Sequence, residues 1–67
     1  MASRTTRNKI RFQAKSAFED MVRVQDHLAG IAALADDRSP HIDNNLPQII
    51  LAQETVMQAF EKFMEGL

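Results

Sequence analysis

Ile10, Ala14, Ala17, Met21, Val24, Leu28, Ile31 and Ala35 follow one another at alternating spacings of four and three residues. Apolar positions at that spacing form a helical seam that is covered by another helix. An interruption rich in Asp, Ser, Pro and Asn follows, and the rhythm then returns in Ile42, Leu46, Ile49, Gln53, Val56, Phe60, Phe63 and Leu67. Two matched seams with one break predict an all-α, antiparallel two-helix hairpin. The pattern sets the helices at about 8–35 and about 45–65, with the turn at about 36–44. Asn45 is the expected cap of the second helix, with Pro47 in its first turn and Gln48 completing a capping-box-like pair. Ser39-Pro40 also reads as a cap and first-turn proline, enough for one short helical turn through Ile42. Gly30, beside Ala29, Ala32 and Ala33, is read as a small residue tolerated where a neighbouring backbone comes close.

Sixty-seven residues allow one small domain at most, and chains of this size bury only about 60% of their unfolded surface. Cysteine is absent, which removes disulfide staples and thiolate metal sites together. Self-association remains as the way to cover apolar surface. The second helix carries a companion stripe beside its seam, Ile50, Met57 and Met64, and the first a weaker one in Phe18, Val22, Gln25, Ala29 and Ala32. Faces that wide suit helices with more than one neighbour. The hairpin is therefore expected to pair with a second copy into a four-helix bundle. Its core and interface should draw on Met21, Val24, Leu28 and Ile31 from the first helix. From the second come Leu46, Ile49, Ile50, Val56, Met57, Phe60 and Phe63, with Phe60 and Leu28 among the most buried. Gln53 is the polar member of its seam and is assigned a register role. A turn near residue 40 sets it beside His27, with Gln25 nearby.

The net charge of −1 hides a segregation. Arg4, Arg7, Lys9, Arg11 and Lys15 stand in the first 18 residues without an acid, and the acids are all in the remainder. Residues 1–7 read as a flexible basic arm. The hairpin register brings Arg11 and Lys15 near Glu65 and Glu61, whereas Arg4, Arg7 and Lys9 overhang the second helix. With Phe12 as a stacking aromatic, Arg4, Arg7, Lys9 and Arg11 are the residues an RNA or DNA contact would use. Three to five basic residues are few for phosphate-driven affinity, so nucleic acid ranks below self-association. The first 18 residues share the Arg-rich, acid-free composition of an organelle transit peptide, but removing them would delete the start of the seam. No apolar core follows the basic front as in a secretory signal, and no run reaches the roughly 18 apolar residues of a membrane span.

His27, His41, Asp26, Asp36, Asp37 and Asp43 lack the spacing of a ligand motif, so no metal or other cofactor is expected. Ser16 and Ser39 have no histidine at helical spacing, no glycine-rich phosphate loop is present, and no catalytic residue is assigned. The sequence thus predicts a non-catalytic interaction module acting as a homodimer: an adaptor, regulator or structural subunit in the cytoplasm or a phage particle. Two alternatives stay open. One is a nucleic-acid-binding regulator using the basic segment, and the other is a subunit that docks its apolar stripe on a different protein.

Overall fold

The computed structural model describes residues 4–67, without the side chain of Arg4. Helix α1 (Arg4–Ala35) and helix α2 (Pro40–Glu65) pack side by side, antiparallel. The result is a thin rod measuring 53 × 16 × 13 Å. No strand occurs among the described residues.

Helix α1 begins earlier than its seam. Of the expected arm, residues 1–3 lie outside the described residues, and Arg4 to Arg7 are helical. Nucleation is the costly step of helix formation and is met once for the whole helix, so one more turn adds little cost. At the other end, Asp36 and Asp37 take positive φ values of 46° and 58°. Aspartate is among the few residues that enter this region readily. The turned chain is held by Asp36 N–H donating to Ala32 O at 3.1 Å and Arg38 N–H to Ala35 O at 2.8 Å.

Helix α2 starts at Pro40, not near Asn45. Ser39 is extended (φ −121°, ψ 105°) and its hydroxyl accepts the Ile42 N–H at 3.4 Å. Pro40 has the fixed φ of a first helical residue, and Asp43 places an acid in the positive first turn. The short turn expected through Ile42 therefore runs straight into the main helix, and Asn45 is no cap. Its amide instead donates to His41 O at 2.7 Å. Pro47 lies inside the helix and cannot donate to the carbonyl of Asp43. The Gln48 amide donates to the next carbonyl, Asn44 O, at 3.2 Å, which replaces the expected capping box. The helix ends at Gly66, whose N–H reaches Phe63 O at 3.2 Å.

A shorter turn changes the register. Gln53 Nε2 donates to Met21 O at 3.4 Å and Gln25 Nε2 to Ile50 O at 3.4 Å. His27, the expected neighbour of Gln53, is exposed. Gly30 is exposed too, and nothing lies within 4 Å of where its Cβ would stand. No backbone approaches it within the hairpin.

The contact between the helices is formed by Ala14, Phe18, Met21, Gln25 and Leu28 against Leu46, Ile50, Gln53, Met57, Phe60 and Met64, all buried or half-buried. Among the described residues only Ala14 and Leu46 are buried, 6% and 7% exposed. Phe60 and Leu28 are half-buried, because two helices cannot enclose a large side chain from every direction. The companion stripe (Ile50, Met57, Met64 and Phe18) has thus turned inward. Three of the eight residues of each seam have turned out.

Candidate functional site

The seam residues outside the hairpin contact are Ile10, Val24 and Ile31 on α1 and Ile49, Val56 and Phe63 on α2, all exposed. Their numbers step by seven or twice seven along each helix. A step of seven advances an α-helix almost two full turns, so each set forms one row. Both rows lie to the same side of the hairpin. Ile31 and Ile49 line one shallow cleft of about 120 Å³ together with His41, Ile42, Asn45 and Leu46. Val24 is 45% exposed, Val56 49% and Phe63 53%. The Phe63 ring is held by the Phe60 ring beneath it, with centroids 5.5 Å apart.

The hairpin places these six large side chains on one face and leaves their outer surfaces open. Their neighbours on that side are mostly uncharged: Gln13 and His27, with Asp20 between them, flank the α1 row, and Asn45, Ala52 and Ala59 flank the α2 row. Such a face can exclude water from another apolar surface. Ile42 and Leu46 separate it from a second cleft, of about 510 Å³, lined also by Ala32, Pro47, Ile50 and Leu51, with Asp37 and Asp43 alongside.

The basic segment has another geometry. Arg7, Lys9 and Phe12 are exposed, Phe12 at 67%. Arg7 and Ile10 border a hollow of about 310 Å³ closed by Gly66 and Leu67. Arg11 donates its Nε–H to the main-chain carbonyl of Leu67 at 2.7 Å. No ion pair among the described residues joins Arg11 or Lys15 to Glu61 or Glu65. The ion pairs among the described residues are Arg23–Asp20 at 2.8 Å and Arg38–Asp36 at 3.8 Å. Both are exposed and worth little. Among the described residues no three His, Asp or Glu side chains cluster so as to hold a metal ion, and no helix is long and apolar enough to cross a membrane.

The chain matches no protein-family model, no curated protein and no solved structure. Every residue of the open face belongs to a seam read from the sequence, and all but Ile10 are expected there in the core or interface. Sequence reasoning missed the division of each seam into an inward and an outward row. The signal for it is the companion stripe: where two apolar stripes adjoin, the hairpin axis falls between them.

Proposed function

We propose that the chain is a non-catalytic interaction module that works as a homodimer, two hairpins closing face to face into a four-helix bundle. The observation that carries this reading is the pair of exposed apolar rows on one side of the hairpin. Surface area supports it. A compact monomer of 7.6 kDa has about 4,300 Å² of accessible surface by the size scaling of folded proteins. This chain has 5508 Å². The excess is about 1,200 Å², more than the ~800 Å² per partner that a standard stable interface buries.

A second copy fits because both sides of the contact are then the same kind of strip: two heptad rows with mostly uncharged flanks, repeated by a two-fold axis. In that assembly Val24, Ile31, Ile49, Val56 and Phe63 become core. Light scattering tests it. The wild type should have the mass of two chains, and Val56→Asp, which sets a charge in the middle of the face, should have the mass of one. Leu51→Asp, 63% exposed and off the face, should remain a dimer. A wild-type monomer with a concentration-independent melting temperature overturns the reading, as does a Val56→Asp dimer.

A further inference from the structure

The two hairpins of a face-to-face dimer can be related in two ways, with their turns at the same end or at opposite ends. The apolar rows do not choose between these, since a seven-residue repeat meets a copy of itself in either direction. Charge does choose. We infer that the partner on the apolar face is a second copy laid with its turn at the opposite end, so that each basic α1 terminus lies against the acidic turn of the other chain. The inference rests on the homodimer proposed above.

The open end of the hairpin carries Arg4, Arg7, Lys9, Arg11 and Lys15 on α1. The nearby end of α2 brings only Glu61 and Glu65 with Lys62, so that end is net positive. The turn end carries Asp26, Asp36, Asp37 and Asp43 against Arg38, and is net negative. Each hairpin is therefore a rod some 53 Å long with opposite charge at its two ends. Packed helices are about 8–10 Å apart, close to the Debye length of about 8 Å at physiological salt and well inside the ~30 Å at 0.01 M. Asp37 and Asp43 line the cleft on the far side of Ile42 and Leu46 from the apolar face, so the end charges of the two chains act over more than one helix spacing and are only partly screened at low ionic strength.

With turns at the same end, two net-positive ends lie together and two net-negative ends lie together. The partner's Glu61 and Glu65 would offset part of the first repulsion, and only Arg38 would offset the second. With turns at opposite ends, each positive end meets a negative one. Helix α1 then packs on its own copy, antiparallel, and α2 on its own. Arg7 and Lys9, exposed and without an ion pair among the described residues, then come to the same end of the dimer as Asp36 and Asp37 of the other chain. The charge segregation acquires a use without any third molecule.

The chain has no cysteine, so Pro40→Cys gives a single thiol at an exposed, uncharged position beside the turn. A nitroxide attached there reads the arrangement by pulsed electron-spin distance measurement at low ionic strength. Opposite-end packing predicts a separation above about 40 Å, since 32-residue α1 spans about 48 Å at 1.5 Å per residue. Same-end packing predicts less than about 25 Å, two or three helix diameters. Mixing chains labelled at Asn8→Cys with chains labelled at Pro40→Cys should give the converse, a short separation between the two sites. Light scattering on the same labelled samples keeps the two proposals apart. A monomer removes the homodimer itself, whereas a dimer with a short Pro40→Cys separation overturns the orientation alone.

Discussion

Gln25 and Gln53 are the polar residues of the helix–helix contact, and each donates across it to a main-chain carbonyl of the other helix. Both acceptors lie in helices and already take their own backbone partner, and at 3.4 Å the bonds are long. Both side chains are half-buried, and each bond gives a donor that has lost water a partner. Gln25 also has a cost: its Oε1 is buried with no partner. An orphaned buried acceptor costs about 1–3 kcal/mol. Gln25→Leu keeps the volume and removes that oxygen, so the hairpin should gain on the order of 1 kcal/mol, the low end of that range. A higher urea midpoint with unchanged slope checks it. A loss above about 1 kcal/mol, the central worth of a net hydrogen bond, would mean that the 3.4 Å bond to Ile50 outweighs the orphan.

At the scale of the elements, Gly30 is the clearest weak point. It sits in the interior of α1, exposed, with no neighbour that an added Cβ would touch. Gly30→Ala should therefore stabilise by about 0.5–1 kcal/mol through helix propensity and reduced unfolded-state freedom. A melting curve at fixed protein concentration reads this directly, and destabilisation would reveal a close approach at Gly30 in the assembled protein. The expectation from sequence was the reverse, a small residue placed for packing, because Ala29, Ala32 and Ala33 look like a close-contact strip. Three of those four positions point away from the partner helix or to its margin, and composition alone cannot show rotation about a helix axis. The two-helix plan was legible for the opposite reason. Periodicity along α1 and α2 is a local property that tertiary packing did not need to correct. The second helix start was legible only in part. Ser39-Pro40 and Asn45 with Pro47 are both sound start signals, and the earlier one prevails because its turn joins the later one without a break. That shift of the turn is also what moved Gln53 from His27 to Met21. Of the candidate face, Val24, Ile31, Ile49, Val56 and Phe63 were identified as apolar contacts, and their exposure in the hairpin was not. An a/d seam says that a helix is covered, not by which neighbour.

At the scale of the whole molecule, the rod of 53 × 16 × 13 Å is one pair of helices thick, so no large side chain among the described residues is enclosed on every side. In the proposed dimer folding and pairing are linked, so stability should grow with protein concentration. The charge distribution adds a second linkage, to salt. If opposite ends attract across the dimer, screening weakens the attraction, and the dimer dissociation constant should rise several-fold between about 0.02 M and 0.3 M monovalent salt, where the Debye length falls from above 20 Å to about 6 Å. Replacing Arg4, Arg7 and Lys9 with Gln removes most of the positive end but none of the apolar face. The triple variant should keep its helical content and still dimerise, with a dissociation constant nearly independent of salt. Sedimentation equilibrium at the two salt concentrations measures both chains. Apolar association by itself would strengthen slightly, if at all, as salt rises, so a wild-type dimer indifferent to salt would detach the basic segment from assembly. The same pair of chains separates the remaining use of that segment. Salt-sensitive binding of RNA or DNA by the wild type, lost in the triple variant while the dimer persists, would assign Arg4, Arg7 and Lys9 to phosphate. The expected outcome is no such binding, because in the proposed dimer the acidic turn of the second copy takes the positive end, and the rest of each chain repels a polyanion.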